Sequence, residues 1–270
     1  MVYLIIAGVF VVIIAFYAFL TAPGRIPRDM EELWEWHYAH RGLYSKDQSI
    51  PENSLAAFAA AAASGYGMEL DITITADGEV VVFHDDILSR ACGVDKDIRE
   101  CTLSELRDCR LFGTKEGIPL FSDMLELVDG RVPLIVELKS TKRYRELCAE
   151  TAALLDVYAG SYCIESFDPR IVRWFYLHRP EVVRGQLSCG VHSYEGTPFY
   201  QSWLMSSLLT NAFCRPHFVA YRHQDAYRKL GLRAFRLMGG KLVAWTVQSY
   251  ETAQHLRRAF DCIIFEYFRP

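Results

Sequence analysis

The sequence predicts an α/β chain: a closed (β/α)8 barrel, the TIM barrel, behind one N-terminal transmembrane helix. Three observations carry that expectation. Short runs rich in β-branched and aromatic residues alternate with helix-like segments, which points to a parallel sheet covered by helices. Eight strand units in about 235 residues match the size of such a barrel. Residues 2–20, VYLIIAGVFVVIIAFYAFL, carry no charge. An open doubly wound sheet is the alternative, but no Gly-x-Gly-x-x-Gly follows the first strand, which disfavours its dinucleotide-binding form.

Residues 2–20 are long enough, at roughly 1.5 Å per residue, to cover about 28 Å of hydrocarbon. A buried helix would show a polar face, and a cleaved signal would show a basic flank, a shorter apolar stretch and a small-x-small site. Residues 1–20 are therefore expected to be a membrane anchor. Residues 21–33, with Pro23, Gly24 and Pro27, form a linker, and 34–270 form the barrel. Arg25 and Arg28 flank the anchor, so the positive-inside bias places a single-pass protein with its catalytic domain in the cytoplasm. Eight cysteines spread from Cys92 to Cys262 without a Cys-x-x-Cys pair read as reduced, buried thiols. The net charge of −4 and scattered lysines and arginines argue against nucleic-acid binding.

The strand candidates are 36–40, 68–74, 79–84, 132–138, 161–167, 184–188, 217–222, 241–247 and 261–266. The run at 79–84, EVVVFH, is an extra strand beside the second. Between them lie helix candidates. The first runs from Asn53, read as its N-cap, to Gly65. Others begin near Ser104 and Ser122, cover 144–160, and start with Pro169 in the first helical position. The segments 202–213, 225–240 and 249–260 complete the series. No helix follows the last strand, so the linker or the residues before strand one should cover that sector.

In such barrels the reactive groups gather at the C-terminal ends of the strands. His40 and Arg41 end strand one, Glu69 and Asp71 sit on strand two, His84 and Asp85 end the added strand, and Glu137 and Lys139 end the next. Two residues apart on a strand, Glu69 and Asp71 face the same side and repel unless a cation or hydrogen bonds compensate. With Glu137 they make three oxygen ligands suited to a hard divalent ion, Mg²⁺ or Ca²⁺; structural ion pairing with Arg41 and Lys139 is the alternative. His40 and His84 beside them suit a general acid–base pair. Arg41 and Lys139 suit an anionic phosphate. Glu52, at a helix start on the same face, is placed to orient His40, Arg41 or the metal. The other six histidines, His37, His178, His192, His217, His223 and His255, lack such company.

The motifs AHRG, PENSLAAF, GMELDITITADGEVVVFHDD, PLIVELK, SFDP and WTV occur in an order and spacing that resembles the glycerophosphodiester phosphodiesterase family over about residues 36–270. The resemblance implies metal-dependent hydrolysis of a glycerophosphodiester to glycerol 3-phosphate and an alcohol. It implies His40 and His84 as acid and base, Glu69, Asp71 and Glu137 as metal ligands, and Arg41 and Lys139 as phosphate ligands. It also implies Glu52 as a supporting acid and Trp245 as an aromatic near the substrate. Two positions depart from the pattern: Gln248 stands where the family has Asn, and Glu266 where it has Asp. Both are expected to touch the rim and the alcohol side rather than the histidines. Lysophospholipids or glycerophosphate polymers are alternative substrates, and a catalytically inactive, membrane-tethered binding barrel is the alternative class. The stretch 194–213 is read as an outer helix, or else as a lipid-facing mouth.

Overall fold

The computed structural model describes residues 1–25, 27–194, 196–227 and 229–270, with the backbone alone at 28–30. Ile26 of the linker, Glu195 and Arg228 of two helix candidates, and the Arg28 side chain invoked for orientation lie outside the described residues.

The chain runs α1 (Val2–Thr21), β1 (Tyr38–Ala39), α2 (Leu55–Ala63), β2 (Gly67–Ile74), β3 (Val80–Val82), α3 (Ser89–Cys92), α4 (Leu103–Leu106) and α5 (Phe121–Val128). It continues with β4 (Leu134–Leu138), α6 (Tyr144–Asp156), β5 (Tyr162–Ser166), α7 (Pro169–His178), β6 (Arg184–Ser188), α8 (Phe199–Ser206) and α9 (Asn211–Cys214). Last come β7 (Phe218–Arg222), α10 (Leu230–Leu237), β8 (Lys241–Val247), α11 (Tyr250–Leu256) and β9 (Cys262–Phe265). Each strand candidate in the sequence is a strand here, to within two residues at most ends.

Parallel pairing runs β2, β4, β5, β6, β7, β8, β9 and β1, and β1 pairs back onto β2. The sheet therefore closes as an eight-stranded parallel barrel, with β3 antiparallel on β2. Alternation along each strand separates two cores. Side chains such as Leu70, Val136 and Ile164 face the helices, while Tyr38, Ile135, Cys163, Phe218 and Ile264 fill the barrel. Gly185 lets the Phe218 ring into that interior, because a β-carbon there would stand 2.2 Å from it.

The residues before β1 close the barrel floor. Arg28–Glu35 form a 3-10 turn that inserts Leu33 and Trp34. Trp34 meets Phe218 edge-on at 5.4 Å, and the Tyr38 hydroxyl donates to the Leu33 carbonyl at 2.7 Å. Trp34→Ala is expected to cost about 3–5 kcal/mol of folding stability, checked by denaturant unfolding. Beside β9, Phe265 packs under Tyr66 at 4.9 Å and Phe268 at 5.6 Å, and Trp36, just before β1, packs against the same outer core.

Several helix starts shift. Ser54, not Asn53, caps α2, its hydroxyl accepting from the Ala57 N–H at 3.1 Å. Thr102 and Glu105 form a reciprocal capping box on α4, so the cap lies two residues before Ser104. Ser122 lies inside α5, which starts at Phe121 without a side-chain cap. The 202–213 candidate is broken into α8 and α9. Pro169 opens α7 as expected, with Asp168 as its cap. All eight cysteines are free, and seven are buried.

Candidate active site

The opening His-Arg-Gly answers to local geometry. β1 ends at Ala39, and the chain must turn sharply under α2. Gly42 has φ +78°, and a β-carbon there would meet Ala57 at 2.9 Å, so only glycine fits. Arg41 (φ 53°) and Asn53 (φ 54°) are also left-handed, and the Asn53 N–H donates to the Arg41 carbonyl at 2.9 Å. The two turns are thus tied together beside the C-terminal end of β2.

The strand register then assembles the acids. Asp71 lies opposite Glu137, and Glu137 opposite Glu165. One carboxylate oxygen from each of Glu69, Asp71 and Glu137 lies within 4.8 Å of the others, and all three residues are buried. Lys139 bridges two of them, donating to Glu137 Oε1 at 2.9 Å and Asp71 Oδ1 at 3.3 Å. Arg41 donates through its backbone N–H to Glu69 Oε2 at 3.0 Å and through Nη1 to Glu52 Oε1 at 2.6 Å, and its Nε stands 3.4 Å from Asp71 Oδ2.

Their electrostatics divide the trio. Burial, then repulsion from Asp71 and Glu137, pushes the Glu69 carboxyl well above the usual range. Burial also raises Glu137, against the pull of Lys139. Asp71 goes the other way: burial would raise it, but Lys139, His84 and Arg41 together hold it well below. Two buried acids strained by like charge and one held ionised make a site short of positive charge. Hard oxygen donors at this spacing fit a divalent cation, which Glu69, Asp71 and Glu137 could hold.

The two histidines flank this cluster in the same way. His40 Nδ1 meets Glu266 Oε2 at 2.7 Å, and His84 Nδ1 meets Asp85 Oδ1 at 2.6 Å. An ionised carboxylate only accepts, so each Nδ1 is the donor and each Nε2 is left with the free lone pair. His40 Nε2 lies 4.0 Å from Glu69 Oε2. Burial and the neighbouring Arg41 lower the His40 pKa, and Glu266 partly opposes them. Burial would raise the Glu266 carboxyl, but His40, Tyr44 and Gln248 bring it down to about 2.

Glu52 is buried and accepts from Arg41 and Arg90, each at 2.6 Å. Arg90 also clamps Asp85, so one acid links the two histidine arms of the site. Trp245 stands at the mouth, edge-on to Phe167 at 5.7 Å. All nine sequence-selected residues thus fall on one end of the barrel.

Five further residues belong to this arrangement: Asn53, Asp85 and Glu266, which the sequence suggests in other roles or without one, and Arg90 and Glu165, which it does not single out. Asn53 donates to Asp71 Oδ2 at 2.8 Å instead of capping α2. Asp85 and Arg90 hold His84. Glu165 is a buried acid whose Oε2 has no hydrogen-bond partner among the described residues, and burial with Glu137 and Asp71 raises its pKa well above the usual value. A charge inside the apolar run YCIES was the available signal. Glu266 corrects an expectation: it reaches His40 directly, and the Gln248 amide donates to its other oxygen at 2.7 Å. The two departures from the motif pattern therefore touch each other and one histidine, rather than the rim alone.

The sequence model of the Glycerophosphoryl diester phosphodiesterase family matches residues 40–268. A glycerophosphodiester phosphodiesterase of Caldanaerobacter subterraneus is 36% identical over 110 residues, 38% of this chain and 44% of that one, so the match spans less than half of that relative. YhdW of Bacillus subtilis is 27% identical over 242 residues, 85% of this chain and 93% of that one. The solved structure of an Oleispira antarctica phosphodiesterase in complex with the product sn-glycerol-3-phosphate is similar in fold, with a TM-score of 0.70 at 23% identity over 85% of this chain and 92% of that one.

Proposed function

This chain belongs to the glycerophosphoryl diester phosphodiesterase family, and we propose that it hydrolyses glycerophosphodiesters to glycerol 3-phosphate and an alcohol. The observation that carries this reading is the meeting of three buried acids with two carboxylate-oriented histidines at the strand ends. Glu69, Asp71 and Glu137 would hold one divalent cation, Mg²⁺ or Ca²⁺, which when bound supplies a Lewis acid for a phosphoryl oxygen. The chain's own residues do the rest. Arg41 and Lys139 attract and orient the phosphodiester, and opposing carboxylates keep both protonated. Glu52 holds the Arg41 guanidinium in place. One imidazole Nε2 takes the proton of the attacking oxygen, and the other returns a proton to the departing alcohol as the P–O bond breaks. The attacker is water or the neighbouring glycerol hydroxyl; in the second case water then opens a cyclic phosphate. Trp245 and Phe167 form an apolar wall at the mouth.

The test is turnover of a panel of glycerophosphodiesters and lysophospholipids, each with Mg²⁺, Ca²⁺ or Mn²⁺. Release of glycerol 3-phosphate that EDTA abolishes supports the reading. Failure to hydrolyse any member with any ion would leave a tethered binding barrel. Glu266→Gln adds a pH test. Glu266 raises the His40 pKa, so its loss lowers that pKa further. The acidic limb of kcat/KM should move to lower pH, with turnover down roughly tenfold. An unmoved limb would mean that Glu266 does not act through His40.

We infer further that α1 is a single-pass anchor with the barrel on the cytoplasmic side. Its length and composition suit a membrane span, as they would a signal sequence, and Arg25 follows it. Protease protection in sealed vesicles of known sidedness checks this orientation.

A further inference from the structure

α8 is a helix with its polarity reversed. Its Ser202 and Ser206 are buried, at 1% and 3% exposure, while Phe199, Tyr200 and Trp203 stand 67%, 62% and 50% exposed. Spacing of one and four puts the three aromatic side chains on one face. Water alone would favour the opposite arrangement, since each exposed ring leaves apolar area unburied.

The position of this face singles out its occupant. α8 follows β6 and sits at the C-terminal, reactive end of the barrel. Ser188, the last residue of β6, donates to the Met205 carbonyl at 3.1 Å, and Ser206 pairs with the Tyr221 hydroxyl near the end of β7. Lys229, just before α10, donates to Ser206 at 3.0 Å, which brings the exposed Leu230 (75%) beside α8. The anchor helix leaves the barrel at the same place. A β-carbon on Gly231 would stand 2.8 Å from the Tyr17 hydroxyl and 3.8 Å from Leu208. Further down, Arg215 donates to the Phe19 carbonyl at 2.7 Å and Asn211 to the Thr21 carbonyl at 3.2 Å. These bonds satisfy carbonyls in the last turn of α1 and fix its angle against α9 and α10. Gly24, past the end of α1, is bonded to Pro216 before β7, at the floor. α1 therefore climbs the outside of the barrel from floor to mouth, and its exposed apolar turns continue beyond the mouth.

We propose that the Phe199–Tyr200–Trp203 face of α8, with Leu230, lies in the interfacial layer of the bilayer that α1 spans, so that the catalytic mouth opens toward the lipid headgroups. This rests on the reading of α1 as an anchor. Trp and Tyr favour the headgroup layer, where an amphipathic helix lies with its apolar face some 5–10 Å deep. Aromatic rings line the way from the base of α8 to the site: Ser188, bonded to the Met205 carbonyl of α8, also bonds to Tyr194, which packs against Phe167 at 6.1 Å, and Phe167 packs against Trp245.

The experiment uses the full chain in phosphatidylcholine vesicles, some made with lipid brominated near the top of the acyl chains. Sodium carbonate extraction comes first. The emission difference between the protein and its Trp203→Phe variant then reports Trp203, an exposed position where the change leaves the core intact. The expected result is a chain retained after carbonate, with Trp203 emission reduced at least about twofold by the brominated lipid at interfacial depth. A retained chain with unquenched Trp203 overturns the seating of α8 and leaves the anchor standing. Release by carbonate overturns the anchor and the seating together.

Discussion

His40→Ala and His84→Ala should each lower kcat by roughly 10²- to 10⁴-fold, the range for loss of a positioned general acid or base. Metal content, measured by elemental analysis of the purified variants, should not change, because neither imidazole is among the acids that converge on the cation site. The equivalence of the two losses follows from the symmetry of the arms. Each Nδ1 is tied to a carboxylate at 2.6–2.7 Å, which fixes one tautomer and leaves each Nε2 free to accept a proton. The arms are not identical in their surroundings. His40 is the more enclosed, and burial holds its pKa below the ordinary value, which suits a group that is neutral and able to accept at neutral pH. A variant near full activity would remove that residue from proton transfer.

Loss of one acid of the trio should be at least as damaging to turnover, by roughly 10³-fold or more, since the cation's share of transition-state stabilisation is several kcal/mol. EDTA should do the same to the unaltered chain, and added Mg²⁺ or Ca²⁺ should restore it. Stability separates the three positions. Glu69 has a folded pKa above its ordinary 4.5, so in the metal-free chain its protonated form favours the fold; that contribution is present at low pH and lost as pH rises past 4.5. Glu69→Gln should therefore leave the metal-free Tm at neutral pH unchanged or raise it. Asp71 is the reverse: its depressed pKa contributes stability above 3.8 that is lost as pH falls below it. Asp71→Asn should lower the Tm at neutral pH, because Lys139 and Arg41 lose the charge that compensates them. Thermal unfolding in EDTA at neutral pH measures both, and a drop for Glu69→Gln would mean that the trio is a structural ion-pair network.

The strands and their order were readable because β-branched and aromatic runs punctuated by turn residues reflect local preference and burial. Helix ends were less readable. Asn53 and Ser54 are both good caps by composition, and the choice between them was made by Asp71, eighteen residues away, which draws the Asn53 amide into the site. Glu165 shows a local signal, a charge inside an apolar run, but nothing local says what that charge faces. Its significance lies in the β4–β5 register that sets it beside Glu137.

What the amino-acid order determined by itself was the alternation of elements, the apolar N-terminal helix, and the list of acids, histidines and cations at strand ends. Each of these depends on the near neighbours of a residue, through periodicity, charge or backbone preference. Which distant residues act on one another was decided only by the tertiary structure, through strand register and closure of the barrel. Closure sets Glu266, near the end of the chain, 2.7 Å from His40, near the start of the barrel, and tertiary packing brings Arg90 of α3 against Glu52. It also left the aromatic face of α8 outside and its serines inside. Such pairings span up to 226 positions of sequence, and their energies depend on distance and burial that no local pattern encodes.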